Sequence, residues 1–99
     1  MDDDAPVEIP ITGELDLHTF RPNEISDLLP AYFEECRQRG ILTVRVIHGK
    51  GSGALRAGVH HLLEQLPDLE SWTWPASEPT GGWGATWVRL RSNAQGRAL

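Results

Sequence analysis

Apolar positions recur with two different periods along the chain. Glu14-Leu15-Asp16-Leu17-His18 alternates, so Leu15 and Leu17 share one face of a strand while Glu14, Asp16 and His18 share the other. From Pro22 to about Arg39 the period lengthens. Ile25, Leu28, Leu29, Tyr32, Phe33 and Cys36 fall on one helical stripe. Pro22 suits a first turn and Gly40 a stop. Pro30 sits off the stripe and predicts a kink, at about 3 kcal/mol if the backbone cannot relax. Ile41 to Ile47 is β-rich, with Arg45 as its one charge, and reads as a central strand. Leu55, Val59, Leu62, Leu63 and Leu66 form the stripe of a second helix, from about Ala54 to Leu66, ended by Pro67. Leu69 to Trp74 and about Gly84 to Arg91 read as strands joined by a loop, Pro75 to Gly82. Ahead of all these, Val7 to Ile11 is extended, and Pro10 makes it an edge or covering segment.

The order β-α-β-α-β-β predicts an α/β two-layer sandwich. Its sheet is mixed and four-stranded, with both helices on one face if successive parallel strands are added in one direction. The first two strands run parallel and the last runs antiparallel. Asp16-Leu17-His18, His48-Gly49 and Gly81-Gly82-Trp83-Gly84 then meet at one carboxyl edge, where open α/β sheets hold ligands.

The 99 residues suit one small domain over residues 7–91, with a disordered acidic segment at 1–6 and a frayed tail at 92–99. With 39% apolar and 23% charged residues, the composition is that of an ordinary soluble domain. No apolar run is long enough for a membrane span, and the N-terminus lacks a signal-peptide pattern. One cysteine, Cys36, excludes an internal disulfide and reads as core, and a reducing cytoplasm fits. The net charge is −5, and Asp2, Asp3 and Asp4 supply three of those negative charges. Contact with nucleic acid is therefore expected to be weak and salt-sensitive. A monomer is expected, and a protein partner stays open.

His48-Gly49-Lys50-Gly51-Ser52-Gly53 carries the first chemical signal. A strand that turns through glycines into a helix points N–H groups and the positive end of the helix dipole at an anion. Lys50 and His48 make phosphate the natural ligand, and Arg56 could hold a second one. The spacing is not that of a P-loop. Gly49, Gly51 and Ala54 fit a loose dinucleotide pattern, but the chain lacks room for that fold, so no organic cofactor is expected.

Asp16 and His18 share a strand face, and His48 ends the neighbouring strand. The three could bind a metal as a facial triad, or act as acid, base and orienting group. The sequence carries no other metal-ligand spacing, which favours acid/base work. A divalent ion such as Mg2+ enters if water is the nucleophile. His60 and His61 read as surface residues, and Trp72, Trp74 and Trp87 as packing on the sheet. Trp83, set among glycines, could stack on a base or anchor the loop.

Leu15-Asp16-Leu17-His18, His48-Gly49-Lys50-Gly51 with Leu55-Arg56, and Gly82-Trp83-Gly84-Ala85-Thr86 with Val88 and Leu90 resemble the small MutS-related (Smr) domain. The resemblance covers about residues 11–91 and is to a stand-alone member. It implies a two-layer α/β fold, nucleic-acid binding and endonuclease activity on DNA or RNA. It also implies that Asp16 and His18 are the catalytic motif and that His48 to Gly51 act at the phosphate. Thr19 and Phe20 stand where the first motif often continues with glycine, which changes the shape of the turn.

The expected function is phosphodiester cleavage. Gly49 to Gly53 with Lys50 would hold the phosphate, while His18 and His48 divide the acid and base roles beside Asp16. The alternatives are a nucleic-acid-binding module that does not cut, and an adaptor that uses a tryptophan-bearing sheet face.

Overall fold

The computed structural model describes residues 9–51 and 53–92. The acidic segment 1–6, the tail beyond Ser92, and Ser52 lie outside the described residues, as do Val7 and Glu8 of the proposed extended segment. Ile9 and Ile11 are not in a strand. They cover the core, half-buried against it, as Pro10 suggested.

The elements are β1 (Glu14–Asp16), α1 (Ile25–Gln38), β2 (Thr43–Ile47), α2 (Ala54–Gln65), β3 (Leu69–Thr73) and β4 (Ala85–Leu90). A 3-10 turn, Pro22–Glu24, leads into α1, and Pro30 is accommodated inside that helix. The sheet order is β1-β2-β4-β3. β1 and β2 are parallel, and β4 is antiparallel to both β2 and β3. The last strand thus inserts between β2 and β3 instead of extending the sheet beyond β3. β4 can be central because Thr86, Val88 and Leu90 are buried on the helix face, leaving β3, with its exposed Glu70 and Ser71, to form the edge.

That face carries Leu15, Val44, Val46, Val88 and Leu90. The two helices cover it with Ile25, Leu29, Tyr32, Phe33, Cys36, Val59 and Leu63. Burying these side chains is the main favourable term in folding. Tyr32 shows how a polar atom enters the core without a penalty. Its hydroxyl accepts from Gly13 N–H and donates to the Glu14 carbonyl, both at 3.2 Å, which ties α1 to the entry of β1.

The opposite face anchors the loop that precedes β4. Arg45, the lone charge of β2, pairs with Glu14 and donates to the Thr80 carbonyl at 2.8 Å. Trp87 Nε1–H reaches Thr80 Oγ1 at 3.3 Å. Trp72 pairs across the sheet with Val88, and Trp87 lies on the other face, so the tryptophans do not form the single sheet face the adaptor reading required.

Leu29 is fully buried beneath the sheet. Leu29→Ala should cost about 2–5 kcal/mol, read as a lower urea midpoint with an unchanged slope.

Candidate nucleic-acid site

The register of the sheet brings the three glycine- and histidine-bearing segments together. Asp16 pairs with Ile47, and Ile47 pairs with Ala85, so the ends of β1 and β2 and the start of β4 share one edge. The Gly84 carbonyl accepts from both His48 N–H and Gly49 N–H at 2.9 Å. Gly84 also abuts the loop directly: a Cβ there would lie 3.2 Å from Lys50 Cγ and 3.3 Å from the Gly49 carbonyl carbon. Gly49 (φ +83°) and Gly53 (φ +94°) use the left-handed region, which lets the chain leave β2 and enter α2 within a few residues.

This geometry changes Gly49's expected part. Its N–H is already bonded to the Gly84 carbonyl, so Gly49 shapes the turn and its amide is not free for a ligand. Lys50 is exposed. Arg56 is half-buried. Its guanidinium carbon sits 4.8 Å from the centre of the Trp74 ring, and its Nη2 is 3.0 Å from where a Gly53 Cβ would stand. It is therefore held beside the loop rather than free in solvent.

At the end of β1, Asp16 and His18 form a dyad. Asp16 Oδ1 accepts from the His18 backbone N–H and from Nδ1, each at 3.0 Å. The bond to Nδ1 places the ring proton there and leaves Nε2 facing outward, with the His18 side chain 74% exposed. Burial raises the pKa of Asp16, but the two His18 hydrogen bonds and the imidazole charge outweigh it and hold the carboxyl below its ordinary value. Thr19 and Phe20 follow in a turn closed by Phe20 N–H to the Leu17 carbonyl at 2.9 Å. No described residue other than glycine has a positive φ, so Thr19 fits this turn without backbone strain.

His48 differs from His18. It is only 6% exposed, and both ring nitrogens are engaged. The Gly49 carbonyl can only accept, so His48 Nδ1–H donates to it across 3.2 Å. Nε2 of the neutral ring then accepts from the Thr86 hydroxyl at 2.8 Å. The Thr86 oxygen in turn accepts from His60 Nε2–H at 2.9 Å. His18 and His48 therefore differ at this edge: both ring nitrogens of His48 are engaged within the fold, whereas His18 is exposed. His60, read as a surface residue, is half-buried and stacks on Trp72 at 4.6 Å. His61 is exposed, as expected, and bonds to Gln65. The missed signal for His60 was Thr86, a polar residue at an inward position of β4 that needs buried partners.

Burial depresses the pKa of both histidines. At His48 the bond to the Gly49 carbonyl opposes this and the Arg56 charge adds to it. At His60 the charges of His48 and Arg56 add to it and Glu64 opposes. Asp16, His18 and His48 are not gathered as a ligand set. Among the described residues no group of three or more His, Cys, Asp or Glu could hold a metal ion.

The Smr domain profile matches residues 15–91. The chain belongs to the Smr family. Endonuclease MutS2 of Halalkalibacterium halodurans is 40% identical over 81 residues, covering 82% of this chain and 10% of that protein. Its counterpart from Thermomicrobium roseum is 38% identical over 80 residues, covering 81% and 10%. This chain thus spans about a tenth of the length of these curated relatives. The crystal structure of the Smr domain of Thermus thermophilus MutS2 superposes with a TM-score of 0.74 at 36% identity, covering 81% of this chain and 99% of that one. YdaL, a stand-alone small MutS-related protein from Escherichia coli, gives 0.73 at 26% identity, covering 81% and 65%. Among the described residues, no helix of this Smr domain is long and apolar enough to cross a membrane.

Thr86→Val keeps the shape of the side chain and removes the shared hydroxyl. It should cost about 1–3 kcal/mol, because the buried His48 nitrogen and the half-buried His60 nitrogen lose their partner. The histidines also set a pH dependence. Their native pKa values lie below the ordinary 6.5, so the unfolded chain takes up these protons first. Stability should therefore fall as pH drops below about 6.5 and level off below the depressed native values. Urea midpoints from about pH 7.5 to 5 should show this slope, and His60→Asn should flatten it.

Proposed function

We propose that this Smr domain binds nucleic acid at the carboxyl edge of its sheet and cleaves a phosphodiester there. The observation that carries the reading is the Asp16–His18 dyad, with its outward Nε2, on the same edge as the glycine loop. The likeness to domains of proteins named endonucleases supports it. Lys50 and the opening turn of α2 hold the phosphate and stabilise charge on its oxygens in the transition state. Gly51 and Gly53 shape that cradle, and Arg56 adds a second cation beside it.

His18 moves the proton. Nε2 takes it from the nucleophile or gives it to the leaving oxygen, and Asp16 fixes the tautomer and stabilises the charged ring. His48 is a positioning residue, acting on the phosphate only through the Gly49 carbonyl. On RNA the neighbouring 2′-hydroxyl serves as nucleophile, whereas on DNA a water molecule must. The acidic overall charge limits non-specific binding, so affinity depends on the local cations and falls with added salt.

A cleavage assay on branched DNA, duplex DNA and structured RNA tests this. His18→Ala should slow cutting by about 10²- to 10⁴-fold with binding retained. Asp16→Asn should also slow it, while Lys50→Ala should weaken binding. With an RNA substrate, a 2′-deoxy substitution at the scissile position should stop cleavage. Activity that survives the Asp16→Ala/His18→Ala double change would remove the dyad from the chemistry. Binding without any cutting would leave a recognition module.

A further inference from the structure

We propose that Trp83, braced by a Trp74 that Arg56 caps, is a seat for one unpaired base, so that the site prefers single-stranded or unstacked nucleotides over closed duplex. The inference rests on the nucleic-acid reading above and narrows its substrate.

Trp83 is 55% exposed, the one large apolar side chain so exposed among the described residues. Its backbone anchors the loop, with the Trp83 carbonyl accepting from Trp74 Nε1–H at 3.0 Å. The two indoles meet edge to face, with centroids 4.9 Å apart and planes at 89°. Trp74 is held in turn by Arg56, 4.8 Å from its ring centre, and by His60 at 5.3 Å. His60 continues the row inward to Trp72 at 4.6 Å and, through Thr86, to His48. The row runs from the buried hydroxyl to a solvent-facing indole. Trp83 is therefore positioned before any ligand arrives, which lowers the entropy cost of binding.

Its location decides what it can touch. Trp83 precedes Gly84, whose carbonyl holds His48 and Gly49 N–H and whose α-carbon lies against the Lys50 stem. A phosphate at Lys50 would therefore sit against the residue that follows the exposed indole, and Arg56 stands beside the Trp74 that braces it. An aromatic face recognises the π-face of a base, and stacking is worth about as much for any base. In a closed duplex those faces are covered by neighbouring pairs and only edges and backbone are presented. A free protein surface of another kind would use the apolar ring but has no use for the adjacent cations and glycine cradle.

Fluorescence anisotropy with a labelled oligothymidylate and a labelled blunt duplex of equal length, at one low salt concentration, separates the possibilities. Trp83→Ala should weaken single-strand binding by roughly 5- to 150-fold, the range for one stacked base, and leave duplex binding unchanged. Trp83→Phe should restore most of the loss. Lys50→Ala should weaken both. Equal losses on the two probes, or no loss on either, with Trp83→Ala would overturn the base seat. If Lys50→Ala weakens binding and Trp83→Ala does not, only the base seat fails. If neither probe binds the unaltered protein, the nucleic-acid reading fails with it.

Discussion

The Thr86 hydroxyl lies fully buried at the start of the central strand and serves two imidazoles at once. It has one proton and gives it to His48, which leaves it free to accept from His60. Each link fixes the next. Because His60 donates to Thr86, Thr86 must donate onward, His48 must be protonated at Nδ1, and that proton must go to the Gly49 carbonyl. A polar chain therefore runs from α2 along the buried face of the sheet to the glycine loop. In so dry a place, breaking any member strands a donor or acceptor, so the loop is held by the cost of disrupting the chain.

The same chain separates the two histidines that the sequence motifs pair. His18 ends a short strand beside solvent, with a carboxylate that sets its tautomer and nothing on Nε2 that the hydrogen bonds account for. His48 ends the neighbouring strand one step from the same edge, yet its side chain turns inward. The difference follows from the pleat. Val44, Val46 and His48 share the buried face of β2, whereas Asp16 and His18 share the exposed face of β1. Two imidazoles at one edge are thus given different work by which side of the sheet they occupy.

The period-two and helical stripes made the elements and the two-layer fold legible, because burial rewards those periods directly. The carboxyl-edge convergence of Asp16, His48 and Gly84 followed from strand direction alone. The insertion of β4 between β2 and β3 did not, since the alternation of Thr86, Val88 and Leu90 marks a buried face without saying which strands flank it. His60 was misread because its position beside the helical stripe looks polar by period. Only the cross-layer meeting with Thr86 and Trp72 buries it. Gly49 was read as a phosphate donor because the sequence does not show that the Gly84 carbonyl reaches its N–H first.

Under the proposed function, one phosphate is held between the glycine loop and the Asp16–His18 dyad. The most direct measurement is a two-dimensional NMR titration of the protein with a short oligonucleotide, following backbone amides and the imidazole protons. Concerted shifts are expected at Lys50, Gly51, Gly53 and the first turn of α2 together with His18, while the Gly49 amide, bonded to the Gly84 carbonyl, stays protected from exchange. Shifts confined to the open sheet face around Arg45 and Trp87, with His18 and the glycine loop unmoved, would contradict it.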